Sequence, residues 1–301
     1  MRSRRGATDL AGILPIDKPQ GPTSHDVVSA VRRATGEGRV GHAGTLDPLA
    51  TGLLVVLVGP YTRLERFLSA EDKSYTARFA FGAETDTDDS EGTVTRYAPV
   101  PDDVFDPVHA AEVLAGFTGE IEQVPPAYSA LKTDGRIAHR AARAGEPLDL
   151  APRRVVVHEA ALTAVDADAR TWDVTLRVSK GTYVRALARD LGRACGSAAH
   201  VSALRRTASG ALAVEQAHTI DEVVAAGRDA APLFADPLAA LGLAAIEGDP
   251  DLVRQGRPLP VPAVGATEGE RFAVTCDGTL AAVYRMAVDR LLPEAVIRTA
   301  T

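Results

Sequence analysis

Two different periods of apolar and polar positions run through the chain. Thr23 and Ser24 stand before Val27, Val28, Val31 and Ala34, the i, i+3/i+4, i+7 spacing of a helix with one buried face. Asp26 completes a Thr-x-x-Asp capping pattern and Gly36 supplies a stop, so a helix is predicted over about 25–35. Residues 53–58 are short, β-branched and wholly apolar between Gly52 and Gly59-Pro60, as in a strand covered on both faces. Tyr75, Ala77, Phe79 and Phe81 alternate with Thr76, Arg78 and Ala80, and Trp172, Val174, Leu176 and Val178 alternate with Asp173, Thr175, Arg177 and Ser179. Both segments predict half-buried strands. Lys180-Gly181-Thr182 then turns the chain into a helix with Val184, Leu187, Ala188 and Leu191 inward. Arg185, Arg189 and Arg193 form a stripe on another face of that helix. Past residue 236, Pro237, Pro250, Pro258, Pro260 and Pro262 break any long helix, and residues 274–281 predict a hairpin with an Asp-Gly turn. The expected organisation is an α+β domain over 1–235 and a small β-rich domain over 236–301.

Charge changes this picture. The 301 residues carry 33 Lys plus Arg against 40 Asp plus Glu, a net of −7, which by itself argues against a nucleic-acid partner. The charges are segregated, however. Residues 84–112 hold nine acids against one base, a net of −8, and residues 170–206 hold eight bases against two acids, a net of +6. Since charges beyond about 8–10 Å are screened in physiological salt, a basic working face is compatible with an acidic total. The acidic segment is expected as a solvated surface, with the bases gathered near the candidate chemistry. The apolar run at 53–58 is far short of the ~20 residues that span a bilayer. Asp9, Asp17 and Lys18 interrupt the apolar stretch that a signal peptide opening on Arg2, Arg4 and Arg5 would need. Cys195 and Cys276 lack metal-like spacing, which suits a reducing compartment, so the chain is expected in the cytoplasm.

The densest candidate for chemistry is Gly41-His42-Ala43-Gly44-Thr45-Leu46-Asp47-Pro48-Leu49-Ala50-Thr51-Gly52. Three glycines and a proline here describe an irregular loop between the first helix and the buried strand. Asp47 has two readings. It is a turn-capping Asp before Pro, or a carboxylate nucleophile held ionised by a neighbouring arginine, for which the Arg185 stripe offers candidates. Asp86-x-Asp88-x-Ser90 imitates the start of a calcium loop, but Glu91 and Tyr97 stand where such a loop needs Gly and Glu. His25, His109, His139, His158, His200 and His218 show no metal-like pairing. No metal and no cofactor is expected.

The loop is one of several motifs occurring in a fixed order. Asp17-Lys18-Pro19-x-Gly21-Pro22-Thr23-Ser24 precedes it, and Lys73-Ser74-Tyr75 and Thr85-Asp86-Thr87-Asp88 follow. Next come Pro125-Pro126-x-Tyr128-Ser129-Ala130-Leu131-Lys132 and Ser179-Lys180-Gly181-Thr182-Tyr183-Val184-Arg185. Together they resemble the TruB family of tRNA pseudouridine-55 synthases, over about residues 12–210. The resemblance implies a pseudouridine-synthase-like catalytic domain with a central mixed or antiparallel sheet flanked by helices, and a PUA-like RNA-binding domain at the C-terminus. It makes Asp47 the catalytic aspartate, Arg185 its pairing arginine and Tyr75 the tyrosine that stacks on the target base. It places His42 near the target nucleotide, Leu204 and Tyr183 on the pocket wall and Lys18 beneath the loop. Lys132, Arg136, Arg140, Arg143, Arg189, Arg193, Arg205 and Arg206 are then expected to contact phosphates. The implied partner is the T-arm of tRNA, with no membrane, no obligate protein partner and a monomeric chain. Competing functions are a non-catalytic tRNA-binding or folding helper on the same scaffold, and a small-molecule hydrolase using an aspartate nucleophile. Against the hydrolase, no general base accompanies Asp47 and no phosphate or cofactor loop is present.

Overall fold

The computed structural model describes residues 8–133, 135–262 and 265–297; Arg2, Arg4 and Arg5 lie outside them. The fold is α+β. In chain order, the first elements are β1 (Gly12–Lys18), α1 (Ser24–Thr35), β2 (Val40–Ala43), β3 (Thr51–Val58), a 3-10 turn at Gly59–Leu64 and α2 (Glu65–Leu68). The middle of the chain forms β4 (Lys73–Phe81), β5 (Ala83–Thr85), β6 (Val94–Tyr97), α3 (Pro107–Ala115), β7 (Gly119–Gln123), β8 (Lys132–Thr133), β9 (Arg136–Ile137) and α4 (Ala138–Arg143). Then come β10 (Arg153–Asp166), β11 (Thr171–Val178), α5 (Val184–Ala194) and β12 (Ala199–Ser209). The last third holds β13 (Leu212–Ala213), α6 (Ile220–Ala226), α7 (Pro237–Leu241), β14 (Ala244–Glu247), α8 (Pro250–Gln255) and β15 (Leu259–Pro260). It ends with β16 (Arg271–Cys276), β17 (Thr279–Ala287) and β18 (Arg290–Val296).

The chain forms two compact units. One holds the residues up to Pro48, Gly52–Glu71 and everything from Ala208; the other holds Leu49–Thr51 and Asp72–Thr207. In the first unit, β3 pairs antiparallel with β1 (Gly12↔Val58 to Lys18↔Gly52) and with β2 (Val40↔Val58 to Ala43↔Val55). Covered in this way, β3 is buried from Gly52 onward, as its continuous apolar run predicts. The predicted cap of α1 is present: the Thr23 hydroxyl accepts the Asp26 N–H, the Asp26 carboxylate accepts the Thr23 N–H, and Gly36 ends the helix at φ 73°. The C-terminal sheet runs β14-β16-β17-β18-β15, antiparallel except for β14 against β16. Its predicted hairpin turns at Asp277 and Gly278, both at positive φ, the conformation that favours Asp-Gly. Ala273, Leu280, Val283 and Ala295 of this sheet share one core with Ile13, Leu57, Tyr61, Leu64 and Phe67.

In the second unit the strand order is β12-β4-β11-β10-β7. β4 and β11 pair in register Thr171↔Ala80 to Val178↔Lys73, and each shows the predicted alternation of buried and open positions. Trp172 is fully buried, stacks obliquely on Phe81 with ring centroids 4.8 Å apart, and donates its indole N–H to the Val104 carbonyl at 3.0 Å. Among the described residues no helix is long and apolar enough to cross a membrane.

Candidate active site

The Asp47 loop leaves β2 at Gly44 (φ 84°) and enters β3 at Gly52 (φ 94°). Three anchors in the first unit hold the backbone on either side of the carboxylate. The buried Ser24 hydroxyl accepts the Leu46 N–H and donates to the Leu46 carbonyl, both at 2.9 Å. Gly21 N–H donates to the Pro48 carbonyl at 2.9 Å. Lys18, 0% exposed, donates from its ammonium to the carbonyls of Pro22 (2.8 Å), Pro19 (2.9 Å) and Pro48 (3.3 Å). Three carbonyl dipoles offset the cost of burying that charge. The loop is therefore rigid at Leu46 and Pro48, with half-buried Asp47 between them. His42, on β2, packs edge-on against His25 with ring centroids 5.6 Å apart. Ser24→Ala strands the Leu46 N–H and carbonyl, so stability falls by about 1–3 kcal/mol, visible in urea unfolding as a lower midpoint at unchanged slope.

In the second unit the arginine stripe of α5 meets the acidic turn that follows β5, which corrects the expectation of a solvated acidic surface for Glu84, Asp88 and Asp89; Asp86, Glu91, Asp102, Asp103, Asp106 and Glu112 are exposed, as expected. Arg185, 5% exposed, donates to the carbonyls of Thr87 (2.6 Å) and Tyr128 (3.0 Å) and faces the Asp89 carboxylate at 3.7 Å. Arg189 bridges Asp88 at 3.0 Å and donates to the Val124 carbonyl at 2.8 Å. Arg193 grips both oxygens of Glu84 at 2.7 and 2.9 Å, and Arg96 adds a third bond at 2.8 Å. Glu84, Asp88 and Asp89 are all buried. A carboxylate leaves water only against a cation, so these three carboxylates are drawn in against the arginines of α5. The bases of α5 thus gather around acids, and Arg189 and Arg193 are structural ion-pair partners. Arg206, 1% exposed, is likewise no surface cation.

The ion pairs reset two carboxyl groups. Hydrogen bonds from Arg193 hold Glu84 down at about 2, with Arg96 adding to the effect. Burial pushes Asp88 up to about 6 despite Arg189 and Arg185. A lowered folded-state value means that the stabilisation from Glu84 is complete above its usual 4.5 and is lost as pH falls towards about 2. Glu84→Gln is expected to be less stable than the parent at neutral pH and to lose less stability between pH 4.5 and 2, measured by urea unfolding across that range. The raised Asp88 acts in the opposite sense, favouring folding below its usual 3.8 and losing that contribution as pH rises through about 6. It is common to both proteins and cancels in the comparison.

A clamp that the sequence did not announce sets the start of α5. Gln123, buried at the end of β7, accepts the Tyr183 N–H at 2.9 Å and donates to the Tyr183 carbonyl at 3.1 Å, fixing the residue that caps the helix two positions before Arg185. A glutamine closing Gly119-Glu120-Ile121-Glu122-Gln123 carries no local signal of this role, because its partner is 60 residues away. Tyr75 is buried on β4 opposite Leu176. Leu204 is half-buried on β12, next to β4 in the sheet, and its carbonyl lies 3.5 Å from the Thr51 hydroxyl. Lys132 is exposed in the β8–β9 hairpin, with Arg136, Arg140 and Arg143 exposed beside it in sequence. The first unit thus brings Lys18 onto the Asp47 loop with His42 on the strand leading into it, and the second brings Tyr183 and Arg185 together at the start of α5, Tyr183 as its cap. The calcium-like segment is a turn whose Asp86 accepts the Thr93 N–H at 2.8 Å. Chemically, the site elements are a carboxylate on a braced loop, a buried guanidinium with a fixed fork, and an aromatic ring on a strand.

Residues 32–184 match the family model described as TruB family pseudouridylate synthase (N terminal domain), and residues 185–234 match that of the tRNA pseudouridylate synthase B C-terminal domain. The tRNA pseudouridine synthase B of Cupriavidus metallidurans is 40% identical over 301 residues, covering 96% of this chain and 95% of that protein. That of Thermobifida fusca is 50% identical over 223 residues, 71% of this chain and 74% of that protein. Among solved structures, an archaeal Nop10-Cbf5 complex of the box H/ACA sRNP is similar with a TM-score of 0.70 at 24% identity, covering 95% of this chain and 86% of that one.

Proposed function

Because the chain belongs to the TruB family of pseudouridylate synthases, we propose that it isomerises a uridine of tRNA to pseudouridine, with uridine 55 of the T-loop as the target. It is an enzyme, an isomerase of the tRNA-processing class. The reaction breaks the C1′–N1 bond, turns the uracil, joins C1′ to C5, releases the C5 proton and leaves a proton on N1, so it is an isomerisation that consumes no oxidant, reductant or second substrate.

The observation that carries this reading is the braced loop. Its carboxylate sits between two backbone positions fixed by Ser24, Gly21 and Lys18, as a group that must meet one atom of a flipped nucleotide requires. Asp47 starts the reaction as nucleophile, with Arg185 as the arginine assigned to it by the family motif. Tyr75 holds the detached uracil by stacking, with Leu204 and Tyr183 on the pocket wall and His42 at the target nucleotide. Extruding the base costs a few kcal/mol, offset by these contacts. Lys132 and its basic neighbours in the hairpin meet phosphates of the T-arm, and residues 236–301 act as a PUA-like RNA-binding domain. The enzyme works in the cytoplasm as a monomer, without an obligate protein partner. The test is incubation of the purified chain with unmodified tRNA transcript and chemical mapping of pseudouridine. Product at the T-loop position is expected, and no product from the wild-type chain overturns the reading.

A further inference from the structure

We infer that Gln123 is a positioning residue for the reaction: by holding the backbone of Tyr183 it fixes the first turn of α5 and, through that turn, the direction of the Arg185 guanidinium. Several helices of this chain define their own first residue. The side chains of Thr23, Asp106, Thr219, Asp236 and Asp249 accept N–H groups at the starts of α1, α3, α6, α7 and α8. At α5 the residue in that place is Tyr183, whose side chain makes no capping bond. The turn before it is loosely built, with Gly181 at φ 81° and the Thr182 N–H 3.4 Å from the Ser179 carbonyl. Arg185 belongs to the first turn of α5, where N–H groups lack partners inside the helix and ends fray most easily.

The missing definition comes from β7. Gln123 is 2% exposed, and its backbone is set in the β7–β10 ladder opposite Arg153. From there the amide oxygen accepts the Tyr183 N–H at 2.9 Å and the amide nitrogen donates to the Tyr183 carbonyl at 3.1 Å, which leaves one orientation for the group. The residues that follow continue the grip. The Val124 carbonyl accepts from Arg189 at 2.8 Å and the Tyr128 carbonyl from Arg185 at 3.0 Å, with the buried Pro125 and Pro126 stiffening the chain between them. One short segment thus meets α5 at positions 183, 185 and 189. The carbonyls receive the heads of the arginines, while Gln123 acts on the backbone from which the Arg185 side chain starts.

A buried glutamine needs partners wherever it lies. The functional content is that both of its bonds fall on one residue, two positions before the arginine of the family motif. A displacement of about 0.5–1 Å at a reacting site costs up to on the order of 10²-fold in rate. The inference rests on the reading of the chain as a pseudouridine synthase that uses Arg185.

The experiment measures single-turnover rates and affinity on unmodified tRNA transcript over a pH series, for the full chain with Gln123→Met or Gln123→Glu, each made also on an Arg185→Lys chain. Gln123→Met is similar in length but has neither donor nor acceptor; it is expected to slow the chemical step about 10–100-fold while affinity stays within about threefold. On the Arg185→Lys chain the same change adds no more than about threefold, because the fork it serves is already gone. Gln123→Glu is expected to be slow at alkaline pH, where the new carboxylate sets a second oxygen against the Tyr183 carbonyl. Its rate relative to wild type at the same pH then rises as pH falls, since a protonated carboxyl offers one donor and one acceptor, as the amide does. Burial favours that protonation. Thermal unfolding checks that each variant is folded at the assay temperature, and if Gln123→Met is not, the pH dependence of the Gln123→Glu ratio decides. A wild-type rate for Gln123→Met, a loss of equal size on both chains, or a Gln123→Glu ratio that does not rise as pH falls overturns the proposal. A wild-type chain that makes no pseudouridine refutes the underlying catalytic reading, and the proposal with it.

Discussion

Asp47→Asn is expected to abolish pseudouridine formation, with single-turnover rates down on the order of 10⁴-fold or more, while tRNA affinity stays within about threefold. An amide has nearly the shape of a carboxylate but no anionic oxygen to attack carbon, and its nitrogen lone pair is delocalised. The anchors on either side of position 47 hold backbone atoms: Ser24 holds Leu46, and Gly21 and Lys18 hold Pro48. The amide variant keeps all three, so the split between lost rate and kept affinity is specific to chemistry. Parallel measurement of tRNA binding and product formation checks it. Turnover within tenfold of wild type would remove Asp47 from the centre of the mechanism, and a matching loss of affinity would make it a binding residue. A chain that bound tRNA equally well in both forms, and modified it in neither, would fit the RNA-helper function.

Arg185→Lys is expected to lower kcat by about 10²–10³-fold with the fold retained. The guanidinium serves Thr87, Tyr128 and Asp89 at once because its donors point in fixed, divergent directions. A lysine keeps the charge beside Asp89 but brings one nitrogen, which cannot reach both carbonyls. Arg185→Met is the harsher case. It takes the guanidinium away from Asp89, 4% exposed, and costs about 3–5 kcal/mol of stability. Comparing thermal unfolding and kcat for the two variants separates the requirement for charge from that for the fork. A Lys variant with turnover within threefold of wild type would show that charge alone suffices.

The elements that local sequence encodes were legible before folding. The cap at Thr23 and Asp26, the stop at Gly36, the covered strand β3, the alternation of β4 and β11 and the Asp277-Gly278 hairpin all follow from residues within a few positions of one another. The motif order from Lys18 to Arg185 identified the family by the same kind of information. Charge counting missed the burial of Glu84, Asp88 and Asp89 because it treated segments as separate. Residues 84–89 and 185–193 are about 100 positions apart, and only the tertiary structure makes them neighbours.

What the sequence determined by itself, then, was the set of local elements and the family to which the chain belongs. The tertiary structure decided which charges are buried and with what partners. Lys18 is buried because three proline carbonyls converge on it, Glu84 because two arginines do, and Gln123 because it bridges the backbone of Tyr183. The physical reason is common to all of these. A helix cap or a strand period is satisfied within one turn or one pleat, whereas a polar group can leave water only when distant parts of the chain deliver its complement.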